Sequence, residues 1–265
     1  MRVIISGASG RMGTMLVRAV AQAEGATLVG ATEREGSSVV GQDVGLLAGV
    51  HALDVEVRDN LVACDEADVL IDFTAPKACL AHAKVVAEKS MAMVIGTTGF
   101  DANQQAELDA ILKNTPTIVA ANYSVGVNLA LNLIQQAAAV LNADYDAEIY
   151  EAHHKHKVDA PSGTALAMGV ALAAGRDVNL DDVAVYSREG ITGARESGTI
   201  GFSVARGGNI VGDHKAMFIA DEERIEINHF ASDRMVFAKG AVRAASWLID
   251  KPAGRYDMQD VLGLK

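Results

Sequence analysis

Short apolar runs recur through the first half of the chain, separated by stretches with helical spacing. Val3-Ile4-Ile5 stops at Gly7 and predicts a buried strand. Thr27 to Thr32, Val69-Leu70-Ile71, Met93-Val94-Ile95 and Thr117-Ile118-Val119 predict four more. Between them, residues 12–23 place Met12, Met15, Leu16 and Ala19 on one helical face, and residues 77–89 and 102–113 read as helices. Strands alternating with helices imply βαβ units and a doubly wound, Rossmann-like parallel sheet.

The pattern changes after Tyr123. A long helix is expected from about 128 to 141 and another from about 163 to 174. Residues 147–151, 200–204, 216–219 and 224–227 alternate apolar and polar positions, as one-faced strands do. A last apolar helix is expected over 235–249. The chain is therefore expected to hold a first domain over residues 1–124 and a second, α+β domain with an open mixed sheet over 125–234.

Composition narrows the class. Half of the 265 residues are hydrophobic and 22% are charged, which is globular usage. The 25 glycines against 4 prolines suit tight strand-to-helix turns. A formal charge of −11 disfavours nucleic acid and anionic membrane as partners. No apolar run is expected to reach transmembrane length. Two cysteines make no disulfide framework, and Met1-Arg2 leads straight into a strand without a signal pattern, so a cytoplasmic protein is expected.

Gly7-Ala8-Ser9-Gly10-Arg11-Met12-Gly13 follows a strand and opens a helix. Glycines there let the backbone approach a pyrophosphate, whose charge sits against N–H groups at the helix start. Glu33 lies twenty residues beyond Gly13, where an acidic side chain accepts hydrogen bonds from ribose hydroxyls. Arg34 follows and offers a guanidinium to a 2′-phosphate. Glu33 favours NADH and Arg34 favours NADPH, so use of both is expected. Gly96-Thr97-Thr98, after the fourth strand, and Ala120-Ala121-Asn122-Tyr123, after the fifth, fall at strand ends where a doubly wound sheet opens its ligand crevice.

Glu151-Ala152-His153-His154-Lys155-His156-Lys157 concentrates cations in an acidic chain. It runs through Pro161 into Ser162-Gly163-Thr164, a good helix start. A basic run is often a solvated face, and histidines can bind metal, but the spacing is not that of HExxH and no further ligand set lies nearby. The N–H groups of the helix start and the Thr164 hydroxyl suit a carboxylate. Together with a histidine and a lysine they suggest a site for a dianionic acid. Hydride delivered to an electron-poor carbon leaves charge to be protonated, and histidine titrates near neutrality.

GASGRMG, GTTGF, AANYSVGVN and above all EAHHKHKVDAPSGTA resemble the 4-hydroxy-tetrahydrodipicolinate (dihydrodipicolinate) reductase family of bacterial lysine and diaminopimelate synthesis. Residues 206–214 and 256–262 look like that family too. The resemblance implies that His153 is the proton donor and Lys157 a second acid or charge stabiliser. It implies that His154, Lys157, Gly163 and Thr164 hold the substrate carboxylates, with Arg234 reaching the same ligand. Gly7, Ala8, Ser9, Gly10, Arg11, Met12, Glu33, Arg34, Gly96, Thr97, Thr98 and Ala120 to Tyr123 would hold NADPH or NADH. No metal is implied. Members of the family form homotetramers through the sheets of their second domains, and residues 235–265 would return to the cofactor domain. Two rivals stand beside this reading: another two-domain nicotinamide dehydrogenase, whose own substrate motif is not found, and a dinucleotide-sensing regulator, which would not need His153 and Lys157.

Overall fold

A computed structural model describes all of residues 1–265. In chain order the elements are β1 (Arg2–Ser6), α1 (Arg11–Gln22), β2 (Thr27–Thr32), α2 (Val44–Leu47), β3 (Val57–Arg58), β4 (Val69–Asp72), α3 (Pro76–Glu88), β5 (Ala92–Ile95), α4 (Ala102–Ile111) and β6 (Pro116–Val119). There follow α5 (Val125–Leu141), β7 (Asp146–His153), α6 (Gly163–Gly175), α7 (Leu180–Val183), β8 (Ala184–Val185), β9 (Ile200–Arg206), β10 (Gly212–Ile219) and β11 (Arg224–Ala231). The chain ends with α8 (Met235–Leu248), β12 (Gly254–Tyr256) and α9 (Met258–Leu262). Two compact units result: Met1–Val125 with Arg234–Lys265, and Gly126–Asp233.

The first unit holds a parallel sheet of order β12-β6-β5-β4-β1-β2-β3. β4 and β5 are buried throughout and β1 beyond its first residue, so both faces need cover. Alternation supplies it. Val3, Ile5, Val69, Ile71 and Val94 pack with Leu16, Val17 and Val20 of α1 and Ala241, Ala245 and Leu248 of α8. Ile4, Leu70, Met93 and Ile95 pack instead with Leu80 and Ala83 of α3 and Leu108 of α4. The chain winds outward from β1 in both directions, so the switch point lies between β1 and β4, where such sheets open a crevice at their strand C-termini.

The second unit holds a mixed sheet of order β11-β10-β7-β9-β8. β7 runs parallel to β9 and antiparallel to β10. Ala147 and Ile149 of β7, Ile200 and Phe202 of β9, and Ala216 and Phe218 of β10 face Ile134 and Ala138 of α5 and Met168 and Leu172 of α6. The helices come close enough that a methyl on Gly169 would sit 2.6 Å from the Phe202 ring. The alternate face carries Tyr150, Lys215, Met217 and Phe230. Both expected sheets, one doubly wound and parallel, one open and mixed, are present.

Some elements differ from expectation. The helix expected from 128 begins at Val125, because its buried face already starts at Val127. The stretch Val125–Asp144 has a mean hydropathy of 1.2 and is long and apolar enough to cross a membrane by length and composition alone. That corrects the expectation that no run reaches such a length. Its Ile134 and Ala138 are core residues of the second unit, and a core helix meets the same criterion.

Candidate active site

In the first unit, β1 ends at Ser6 and Gly7 turns the chain at φ +70°, a left-handed conformation that L side chains rarely adopt. The Gly7 and Ala8 N–H groups both donate to Thr32 O, at 2.9 and 3.1 Å, which ties the turn to the end of β2. A Cβ on Gly13 would lie 2.0 Å from Gly7 O, so α1 can begin this close beneath the turn only with glycine there. Gly10 caps α1 without a side-chain hydrogen bond, and no acidic residue occupies the first turn. This open, positive helix end is a cradle suited to a pyrophosphate. Arg11 and Met12 begin the helix beside it.

Glu33 is brought to this turn by Ser9, whose N–H and Oγ both donate to Oε1 at 2.9 and 2.7 Å. Arg34 is exposed on the adjoining loop. The carboxylate spaced twenty residues beyond Gly13 is therefore already held at the glycine turn.

The loop after β5 is built differently. A Cβ on Gly96 would fall 2.2 Å from the Phe73 ring, so the backbone lies directly against that side chain. Thr97 is buried, and its Oγ1 donates to Asp72 Oδ1 at 2.7 Å and accepts from Thr74 N at 2.8 Å. Thr98 is exposed. Asp72, fully buried at the end of β4, also accepts from Thr74 N and Oγ1 and lies 2.6 Å from His82 Nδ1. Sequence reasoning gave Asp72 no role, although an acidic residue closing an apolar strand is itself a signal.

Ala120 and Asn122 are half-buried and Ala121 is exposed. The Tyr123 ring is enclosed, 5.4 Å from Phe73, and its hydroxyl donates to Ile95 O at 2.7 Å. Burial raises its pKa well above the ordinary value, so it stays a neutral donor. Its side chain thus belongs to the wall of the unit, and its backbone is packed too: a Cβ on Gly240 would lie 1.7 Å from Tyr123 O. Arg234 caps the N-terminal end of α8, within this first unit.

In the second unit the histidine–lysine run is not one continuous patch. His153 ends β7 and faces inward, 9% exposed, because strand alternation puts it on the face of Ile149 and Glu151. The chain then turns, with Lys157 N donating to His154 O at 3.1 Å. His154 and Lys157 are half-buried, while Lys155 and His156 are exposed. Lys157 Nζ lies 2.8 Å from both carboxylate oxygens of Asp159, and this contact holds the Asp159 carboxyl below its ordinary range. The run thus delivers one buried imidazole, one half-buried imidazole and one half-buried ammonium, with the other two side chains exposed.

Around His153 stands a network that sequence reasoning missed. Its Nδ1 is 2.6 Å from Glu151 Oε2. Glu151, 1% exposed, also accepts two bonds from Arg206, each 2.8 Å, and one from Ser162 N at 3.0 Å. Burial alone would raise the Glu151 pKa, but Arg206, His153 and Ser162 together bring it below its ordinary value. Ser162 caps α6, its Oγ accepting from Ala165 N, and lies 3.0 Å from His214 Nε2. Burial, reinforced by His153, pushes the His214 pKa down to about 4, so that imidazole is neutral at neutral pH. Gly163 and Thr164 form the first turn of α6, with Gly163 exposed and nothing within 4 Å of where its Cβ would be. No group of three or more histidine, cysteine or acidic side chains is arranged to hold a metal ion.

Residues 1–123 match the profile described as dihydrodipicolinate reductase, N-terminus, and residues 126–262 that of its C-terminus. A 4-hydroxy-tetrahydrodipicolinate reductase of Acinetobacter baumannii is 54% identical over 264 residues, covering 99% of this chain and 96% of its own. One from Magnetococcus marinus is 51% identical over 265 residues, covering 100% and 99%. Among solved structures, the dipicolinate-bound dihydrodipicolinate reductase of Paenisporosarcina sp. TG-14 is similar in fold, with a TM-score of 0.77 at 23% identity over 98% of each chain.

Proposed function

We propose a function from one premise: this chain belongs to the dihydrodipicolinate reductase family. It is an NAD(P)H-dependent oxidoreductase that converts 4-hydroxy-tetrahydrodipicolinate to tetrahydrodipicolinate in lysine and diaminopimelate biosynthesis. Reduction consumes a hydride and a proton and releases water from the hydroxylated ring. When bound, the reduced dinucleotide supplies the hydride, to ring carbon 4.

The residues of the first unit fit that group. The uncapped start of α1 and the Gly7 turn take the pyrophosphate, with Ala8, Ser9, Gly10, Arg11 and Met12 around it. Glu33 accepts from the ribose hydroxyls of NADH, and Arg34 offers a partner to the 2′-phosphate of NADPH, so both cofactors serve. Gly96, Thr98 and the backbone of Ala120 to Tyr123 line the nicotinamide end. Thr97 contributes by holding its loop to Asp72.

In the second unit, His153 protonates the ring carbanion, and Lys157 stabilises charge or gives a proton in turn. His154, Lys157 and the Gly163-Thr164 helix start hold the two carboxylates. Lys157 exchanges Asp159 for a substrate carboxylate, a like-for-like replacement that leaves no buried charge unpaired. One observation carries this reading: a buried imidazole at the end of β7, followed in the same loop by an ammonium and a helix start.

The protein works as a homotetramer in the cytoplasm. Tyr150, Met217 and Phe230, on the sheet face opposite α5 and α6, support the assembly. Purified protein should consume NADPH and NADH when given the condensation product of pyruvate and aspartate semialdehyde, with light scattering giving four copies. His153→Ala with Lys157→Ala should retain dinucleotide binding and lose turnover by at least about 100-fold. Normal turnover in that double variant would overturn the assignment of roles.

A further inference from the structure

Glu151 is buried, yet it is not a charge left over from folding. An ionised carboxylate offers about four acceptor positions, and here four donors fill them: two from Arg206 and one each from Ser162 N and His153 Nδ1. The guanidinium contact is a two-pronged fork, which fixes the plane of the carboxylate as well as its charge. Arg206 is itself held, donating to Ala205 O and Asp159 O at 2.7 Å each. The carboxylate can therefore neither rotate nor take up a proton without breaking a bond that nothing replaces.

The consequence falls on His153. With Nδ1 committed to Glu151, Nε2 is the nitrogen left for a ligand. That side of the ring is kept clear by a glycine: a Cβ on Gly212 would stand 3.1 Å from His153 Nε2. The other wall is His214, edge-on at a centroid distance of 5.0 Å and held by Ser162. The charged and titratable groups around the ring are thus Glu151 on its own strand, His214 on β10, and Arg206 on β9, opposite His153 in register and bonded to Glu151.

We propose that Glu151, clamped by Arg206, is the positioning residue for proton transfer. It holds His153 Nδ1–H so that Nε2 alone delivers the proton. This rests on His153 being the donor. In the step, the imidazolium Nε2–H bond breaks as the carbanion takes the proton. The neutral ring keeps Nδ1–H on Glu151, the carboxylate stays ionised throughout, and solvent returns a proton to Nε2. A carboxylate behind a histidine commonly sets tautomer and orientation in this way without being protonated itself.

The test is Glu151→Gln, which keeps shape and removes charge. The expected result is a kcat about 100-fold lower, with KM for substrate and dinucleotide each within about threefold of the parent. Nitrogen-15 spectra of the neutral His153 ring should change from a single Nδ1–H form to a mixture of tautomers. Adding Glu151→Gln to His153→Gln should cost nothing more, because Glu151 acts only through that ring. If Glu151→Gln alone does not fold, Glu151→Gln with Arg206→Met removes the orphaned guanidinium and is judged by the same three readings. A large loss in His153→Gln beside a kcat within about twofold in the Glu151 variant would overturn the positioning role and leave His153 as donor. Undiminished turnover in His153→Gln would overturn both.

Discussion

Each unit buries one carboxylate against a histidine, and both contacts are 2.6 Å long: Asp72 with His82, and Glu151 with His153. The neighbours differ. Asp72 has no guanidinium; two threonine hydroxyls and one backbone N–H fill its other positions. Those donors belong to the loops after β4 and β5, so the charge staples two stretches of backbone. Glu151 has a forked arginine and one serine N–H, and the freedom it removes is chiefly that of one side chain. The same short contact therefore does two jobs. What is attached to the carboxylate's remaining oxygen positions decides whether it ties two loops together or fixes the plane of a single imidazole.

Acid should separate the units most strongly. His214 is 3% exposed and its pKa is lowered from the ordinary 6.5 to about 4. Because the folded value lies below the unfolded one, the unfolded chain binds the extra proton between those limits. Stability is whole above pH 6.5, falls as pH drops, and has lost about 3 kcal/mol near pH 4. His229, lowered by burial, acts in the same direction and in the same unit. Glu151 follows lower still: its folded value lies below 4.5, so its contribution is present above that pH and disappears as pH falls through the folded value. Urea unfolding from pH 7 to pH 4 should show the decline, and His214→Gln should flatten it between 6.5 and 4. An identical slope in the variant would remove His214 as the cause.

Asp72→Asn comes next in size. It leaves one acceptor oxygen but removes the charge that Thr74, Thr97 and His82 share, at a cost of about 2 kcal/mol in unfolding free energy. Because the stapled loops include Gly96-Thr97-Thr98, the kinetic effect should be a dinucleotide KM several-fold higher with kcat little changed. Glu151→Gln should do the reverse, lowering kcat with KM preserved. Were both variants to alter the same parameter, the distinction between the two carboxylates would collapse.

Legibility in the sequence follows the same physical divide between local and distant. β1, β4 and β5 show as apolar runs because both of their faces are buried, and the glycine turn after β1 shows because Gly7 and Gly13 must be glycine for local reasons. The His153 to Thr164 segment shows because strand end, loop and helix start are consecutive. β3, β8 and β12 do not show. They have two or three residues each and exist because a neighbouring strand holds them. The Glu151–Arg206 clamp was illegible for a related reason. Its partners lie 55 residues apart and meet only through the parallel register that sets His153 opposite Arg206. The order of residues 153–157 does not show how deeply each cation is buried, since alternation and the turn at Lys157 send those side chains to different environments.

Glu33 extends the comparison to a carboxylate near solvent, and the smallest effect is expected there. It is half-buried, held by Ser9 rather than by a cation, and followed by the exposed Arg34. With water available to both groups, neither needs the other, so each is open to a ligand. Pairing an exposed guanidinium with a phosphate contributes about 1 kcal/mol. Arg34→Ala should therefore raise the NADPH KM roughly fivefold and leave the NADH KM within about twofold, narrowing any preference without abolishing use of either. Steady-state titration of both cofactors reads this directly, and repeating it at high salt supplies an internal control, because screening should erase the difference between parent and variant. A loss that persists at high salt, or that falls equally on NADH, would mean that Arg34 shapes the loop instead of meeting the phosphate.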